Sequence, residues 1–234
     1  MIPFVVLERV NLPGDTSGSL VLSQRGEHFS IRAGGVELMN SQNHVSEDEL
    51  GRLTCARLAP RATKKPTLLV GGLGMGYTLR AALDALPPHA QVDVAELVPD
   101  VVRWNRTVLG ALAQRPLDDP RVRIIEGDVG NVIRKNKARY DAILLDVDNG
   151  PDRIFEGNAT LYGASGLSAA RGALTEGGVL AVWSSFESPA FTKALRKAGF
   201  EVEIETLRTT RRGGARHCIW FGRRRRGALE GQGV

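Results

Sequence analysis

Between Thr67 and Arg80 the chain reads TLLVGGLGMGYTLR. A short apolar run passes into three alternating glycines, Gly72, Gly74 and Gly76, and then into a helix-forming stretch. Few folds accommodate this order. An apolar run of this length bounded by glycine reads as a buried strand. Glycine allows a positive φ and lets a backbone or a ligand approach where a Cβ would block it. The helix that follows turns unpaired N–H groups and the positive end of its dipole toward the turn. In an open α/β sheet, a turn at the carboxyl end of the first strand is where nucleotide-like ligands bind. The spacing excludes the dinucleotide fingerprint G-x-G-x-x-G, because the sixth position counted from Gly72 is Tyr77. The pattern that remains, G-x-G-x-G, suits a nucleoside without a pyrophosphate, of the S-adenosylmethionine type. It also suits a tight strand–helix turn that binds nothing, so the rest of the chain must decide.

From residue 67 onward strands and helices alternate. TLLV, QVDVAE, VRIIEG, YDAILLDV and GVLAVWSS are strand-like. The helices expected between and after them cover about 78–86, a segment started by Pro99, 129–136, 165–175 and 189–198. An irregular segment, 148–162, follows the fourth strand. EVEIETL and RHCIWFG are separated only by a loop and should pair antiparallel. This predicts an α/β, Rossmann-like class I methyltransferase fold: a mostly parallel sheet closed by an antiparallel C-terminal hairpin. Residues 1–45 carry four short β segments with turn signals at Pro13-Gly14, Arg25-Gly26 and Gly34-Gly35. They predict a small N-terminal antiparallel β-domain, too small to stand alone. Ser46 and Glu49 read as a capping box opening a helix over 47–58. The domains expected are 1–45, a catalytic nucleoside-binding domain over 46–222, and a basic flexible tail over 223–234.

With 42% hydrophobic and 24% charged residues, the chain is an ordinary globular one, and disorder throughout is excluded. No run approaches the ~18 apolar residues of a membrane span. The start, MIPFVVLERV, lacks the features of a signal peptide. Cys55 and Cys218 have neither metal nor disulfide-framework spacing, and His28, His44, His89 and His217 show no metal spacing. These features predict a reduced, cytoplasmic protein with no metal and no membrane partner. The net charge of +5 is concentrated at the C-terminal end, where eight arginines and no acid fall between Arg208 and Arg226. A solvated strand and tail is favoured there over a nucleic-acid contact, because no aromatic residue falls within the run Arg223–Arg226.

Four acids stand at strand ends. Glu96 closes the second predicted strand about twenty residues after the glycine turn, where a carboxylate can accept both hydrogen bonds of a ribose diol. Asp128 follows the third strand and can accept from an adenine amino group, cap the next helix, or do both. Asp146 and Asp148 lie at the end of the fourth strand, in LLDVDNGPD. Desolvation at the rim of the crevice would raise the pKa of Asp146 toward the range of a general base, while a loop-capping role before Asn149-Gly150-Pro151 is the alternative.

From about Leu20 to Gly222 the chain resembles the spermidine/spermine synthases, the polyamine aminopropyltransferases. The resemblance rests on Gly72–Arg80, on AELVPDVV around Glu96, on DPRVRIIEGD ending at Asp128, on YDAILLD ending at Asp146, and on LY before a helix and GGVLAV. It implies a small β-domain on a methyltransferase-like fold, a homodimer, and transfer of an aminopropyl group from decarboxylated S-adenosylmethionine to an amine. Glu96 takes the place of the ribose ligand, Asp128 that of the adenine ligand and Asp146 that of the catalytic aspartate. The chain departs from the family at several positions. Met75 stands where the family's glycine loop has an aspartate for the aminopropyl ammonium. D-S-S-D-P becomes Asp146-Val147-Asp148-Asn149-Gly150. In the segment NHVSEDELGRL, Asn43, Arg52 and Leu53 replace a glutamine, a tyrosine and a histidine. An arginine in the acceptor site would repel a polyamine.

The sequence therefore predicts a transferase in which Gly72, Gly74, Gly76, Glu96 and Asp128 hold decarboxylated S-adenosylmethionine or S-adenosylmethionine. Asp146 and Asp148 would act on a small-molecule amine acceptor. The alternatives are a methyltransferase on the same frame, and a non-catalytic nucleoside-binding or RNA-associated protein.

Overall fold

The computed structural model describes residues 3–13, 18–58, 65–147, 159–210 and 213–225. Strands β1 (Val5–Asn11), β2 (Ser19–Arg25), β3 (His28–Ala33) and β4 (Val36–Asn40) form an antiparallel meander in that order. Gly34 and Gly35 both have positive φ, which gives the two-residue turn whose twist matches its strands. Leu20, Leu22, Ile31 and Ala33 are buried and join the core of the main domain, so the meander has no core of its own.

Helix α1 (Val45–Ala56) leads into the main sheet. Strand β5 (Thr67–Gly71) is followed by α2 (Tyr77–Ala85), and β6 (Gln91–Glu96) by α3 (Pro99–Arg106) with Pro99 at its start. Then come β7 (Val122–Glu126), α4 (Val129–Arg134), β8 (Tyr140–Leu145), α5 (Ala159–Tyr162), α6 (Ala164–Ala173), β9 (Leu174–Ser184), α7 (Pro189–Lys197), β10 (Phe200–Thr210) and β11 (Gly213–Arg224). The seven strands lie in the order β10-β11-β9-β8-β5-β6-β7. Strands β5 to β9 pair in parallel, whereas β11 runs antiparallel to both β9 and β10. Successive strand residues alternate between two cores. Leu68, Val70, Leu144 and Ala181 pack with residues of α1, α2 and α3; Leu69, Ile143, Leu145 and Leu180 pack with residues of α4, α6 and α7. Because both faces are covered, the central strands are apolar almost throughout. Strand order reverses on either side of β5, and the crevice for a ligand opens there, beyond the carboxyl ends of β5 and β8.

Two local expectations fail. Helix α1 begins at Val45 behind His44, with no side-chain cap. Ser46 does not cap; its hydroxyl donates to Glu47 and also lies against His217, while Glu49 pairs with Arg52. His217 of the sheet and the adjoining Glu47 take the serine that local sequence assigned to the helix end. The basic tail cannot begin at residue 223 either, since β11 continues through Arg224, with Phe200 opposite it. Arg223 donates to the carbonyls of Gly177 and Arg57, and Arg224 to those of Arg171 and Leu174. These arginines extend the pairing of the hairpin and cover backbone oxygens. Residues 226–234 lie outside the described residues.

Helices α1 and α2 cross at Gly51. A Cβ there would stand 2.6 Å from the carbonyl oxygen of Thr78, so only glycine allows this approach.

Candidate active site

A cavity of about 190 Å³ opens at the switch point. The ends of β5, β6, β7 and β8 form its floor through Gly72, Glu96, Asp128 and Asp146, and the meander roofs it with Leu20, Ile31, Leu38 and Met39. The glycine turn is shaped by close approaches from protein. Gly72 has φ +86°, and a Cβ there would lie 2.3 Å from the carbonyl oxygen of Asp146; at Gly74, with φ +53°, it would lie 2.6 Å from Met39 Sδ. Gly76, φ +87°, is the residue that opens α2. Gly72 and Gly74 line the cavity together with Glu96, Asp128 and Asp146, whereas Gly76 stands behind them against Pro116 and Asn105. Asp148 lies outside the described residues.

Glu96 is buried, and its two oxygens are held separately. Leu73 N–H donates to Oε2 at 2.8 Å and Val98 N–H to Oε1 at 2.8 Å. Burial pushes its pKa above the ordinary value, and these backbone donors pull it part of the way back. The backbone N–H groups of Leu97 and Gly74 also act on this carboxylate. Asp128 caps α4: Asn131 N–H donates to its Oδ1 at 2.8 Å. Asp146 receives a hydrogen bond from Thr78 Oγ1 at 2.7 Å on Oδ2, and desolvation pushes its pKa up to about 6.

The sequence reading did not include Glu47. This residue lies in the first turn of α1, is only 8% exposed, and lines the same cavity. Burial, and then the charge of Asp146, push its pKa up to about 7. Ser46 Oγ donates to Glu47 Oε2 at 2.6 Å and lies 2.9 Å from His217 Nδ1. Since the serine hydroxyl gives its one proton to Glu47, the imidazole nitrogen is the donor in the second contact. Thr78 connects the two acids, because its Oγ1 also lies 3.2 Å from the backbone oxygen of Glu47. Trp183 lines the cavity beside His217, with the rings edge to face at 4.8 Å; its indole nitrogen is buried without a partner among the described residues. A signal for Glu47 did exist in the sequence. Positions 47, 50, 51 and 54 make one helical stripe, and all four are buried.

Two positions expected to reshape the site do not reach it. Arg52 is exposed and pairs with Glu49, so it cannot repel an acceptor in the cavity. Met75 is fully buried in the core and is absent from the lining. His44 stacks on Tyr77 at 3.8 Å and meets Asp48 through Nδ1 at 2.8 Å, which ties the end of the meander to α2.

The profile of the spermine/spermidine synthase domain matches residues 56–199. The chain belongs to this family. Among the curated members, polyamine aminopropyltransferase 1 of Streptomyces coelicolor is 31% identical over 141 residues, covering 57% of this chain and 26% of that protein. The polyamine aminopropyltransferase of Corynebacterium efficiens is 30% identical over 173 residues, covering 71% of this chain and 31% of that protein. The matched stretch thus amounts to about a quarter to a third of the length of these relatives. Among solved structures, the spermidine synthase of Thermotoga maritima superposes with a TM-score of 0.70 at 18% identity, over 93% of this chain and 72% of that one. A spermidine synthase in complex with the transition state analogue AdoDATO gives 0.69 at 19% identity, with the same coverage. These similarities place the family's fold on the chain, from the meander to the C-terminal hairpin. Glu47 lies ahead of the stretch that the family profile matches.

Proposed function

We propose that this family member transfers an aminopropyl group from decarboxylated S-adenosylmethionine to a small alkylamine. One observation carries the reading: the described lining of the cavity holds Glu47, Glu96, Asp128 and Asp146, and no lysine or arginine. Such a site suits a donor that carries a sulfonium and an ammonium, and an acceptor that arrives as an ammonium. It offers no counter-charge to the carboxylate of intact S-adenosylmethionine. The relatives named as polyamine aminopropyltransferases point the same way.

In this reading the turn at Gly72, Gly74 and Gly76 admits the nucleoside, Glu96 holds the ribose hydroxyls, and Asp128 accepts from the adenine amino group. Asp146 orients the attacking amine, assisted by Asp148. The amine nitrogen displaces a thioether, a leaving group that needs no acid, so positioning supplies much of the rate. Methyl transfer from the intact donor is the second reading. It is favoured by one feature, the buried Met75, which leaves the glycine turn without a carboxylate for the aminopropyl ammonium. We assign the protein to the cytoplasm and to a homodimer on the family resemblance; no helix among the described residues is long and apolar enough to cross a membrane.

Calorimetric titration with decarboxylated S-adenosylmethionine, S-adenosylmethionine and methylthioadenosine tests the reading. Preference for the decarboxylated donor is expected. Preference for the intact donor transfers the assignment to methyl transfer, and binding of none of the three removes it.

A further inference from the structure

We propose that Glu47 is a catalytic residue of this site: it takes the proton from the acceptor's ammonium group, while Ser46 and His217 hold its carboxylate toward the cavity. The inference rests on the amine-acceptor reading above and adds a residue to it.

An alkylamine reaches the protein at neutral pH as R–NH3⁺, which has no lone pair with which to attack carbon. The site must accept one proton before the bond forms. Asp146 has no advantage over Glu47 as the recipient, since its Oδ2 is engaged by the Thr78 hydroxyl at 2.7 Å just as Glu47 Oε2 is by the Ser46 hydroxyl at 2.6 Å. Glu47 lines the same cavity close to Asp146, on α1 instead of the end of β8. Two carboxylates so placed in one desolvated pocket do not both ionise freely. The pair therefore binds one cation strongly and has room for the proton that this cation releases. The charged and titratable groups around Glu47 are Asp146 beyond β8, Tyr77 on α2, His217 on β11, and His44, Asp48 and Glu49 on or beside its own helix. No arginine or lysine pairs with it among the described residues.

The ammonium proton passes to Glu47, giving R–NH2 and a neutral carboxylic acid. The nitrogen lone pair forms the new N–C bond to the carbon beside the sulfonium, the C–S bond breaks, and its electron pair goes to sulfur as a neutral thioether. The product leaves as a secondary ammonium, and Glu47 returns its proton to solvent before the next turnover. One proton is released per transfer. Ser46 and His217 are positioning residues: the chain from His217 Nδ1–H to Ser46 Oγ, and from Ser46 Oγ–H to Glu47 Oε2, fixes the rotamer of the acid without neutralising it.

The experiment compares wild type, Glu47→Gln and Ser46→Ala, with putrescine as acceptor and decarboxylated S-adenosylmethionine as donor, across pH 6 to 10. Methylthioadenosine affinity is measured on every variant as the check of folding and of the nucleoside reading. Glu47→Gln should keep methylthioadenosine affinity within about twofold while kcat at pH 7 falls on the order of 10²-fold. The loss should shrink steadily as pH rises toward the amine's own pKa, because the acceptor then arrives already deprotonated. Ser46→Ala should lower kcat less and keep the wild-type shape of the profile. A Glu47→Gln loss that does not change with pH, or no loss at all, overturns the assignment of Glu47. So does an enzyme that binds methylthioadenosine but turns over neither putrescine nor a longer polyamine. Failure of the wild type to bind methylthioadenosine removes the nucleoside reading instead, and the two failures are read on separate instruments.

Discussion

Asp93 and Asp146 both belong to the central strands of the seven-stranded sheet, one inside β6 and the other just past β8, yet their charges are handled in opposite ways. Asp93 is enclosed by built-in cations. Arg123 grips it with two nitrogens at 2.9 and 2.8 Å, Arg139 adds a third contact at 3.0 Å, and the Tyr140 hydroxyl donates at 3.0 Å. Asp146 and its neighbour Glu47 have no arginine or lysine beside them among the described residues: Thr78 gives a hydroxyl to the first, and Ser46 a hydroxyl and Glu47's own backbone N–H a second donor to the other. A buried acid with its cations in place is architecture; in the proposed reaction, the buried pair without one meets its cation in the acceptor. Both cost desolvation, and only the first is compensated within the fold.

This contrast can be broken in several ways. Asp146→Ala should lower turnover by about 10²–10⁴-fold while thermal melting changes little; turnover at the wild-type level by that variant would remove Asp146 from the chemistry. Asp93→Asn should do the reverse. It leaves two partly exposed arginines facing a neutral amide and should cost about 1–3 kcal/mol of stability through the lost charge-assisted hydrogen bonds, read as a lowered Tm and denaturant midpoint, with methylthioadenosine affinity retained in the folded fraction. If Asp93→Asn melts like the wild type, its cations contribute nothing and the contrast fails.

The pH dependence of stability sharpens the same point. Glu47 rises from an ordinary value of 4.5 to about 7 and Asp146 from 3.8 to about 6. The folded protein therefore binds these protons more tightly than the unfolded chain does. Their contribution is fully present below about pH 4 and is lost as pH rises through 6 and 7. Replacing Glu47 with glutamine should raise Tm by several degrees at pH 8 and hardly at all at pH 4; an equal change at both would show that the acid carries no excess proton. The smallest effect is expected at Arg52. Its exposed pair with Glu49 contributes about 0–1 kcal/mol, and Arg52→Ala should leave acceptor KM unchanged. A clear drop in KM would return this arginine to the acceptor site.

The part of the site legible in the sequence is the part that topology delivers. In a parallel sheet the carboxyl ends of the strands share one rim, so Glu96, Asp128 and Asp146 converge on one cavity although they are scattered along the chain. The strands themselves were readable because burial on both faces makes them apolar runs ending at glycine. Glu47 was not readable in this way. It stands on a helix ahead of the sheet, and its partners are set by packing: Ser46 meets His217 across 171 positions. Resemblance located Met75 and Arg52 but could not give their directions. Met75 turns into the core and Arg52 into solvent, which cancels the repulsion expected from the arginine. The capping-box reading of Ser46 failed for the same reason, since a tertiary partner took the hydroxyl.

Gly51 gives this arrangement its tolerance. It lies one turn along α1 from Glu47, where a single methyl group would stand 2.6 Å from the carbonyl oxygen of Thr78, the residue whose hydroxyl holds Asp146. Any side chain at position 51 acts as a wedge between α1 and α2, and it widens the gap between the acid carried by one helix and the acid tethered by the other. A residue with no functional group thus acts as the spacer that gauges how closely two negative charges are brought together.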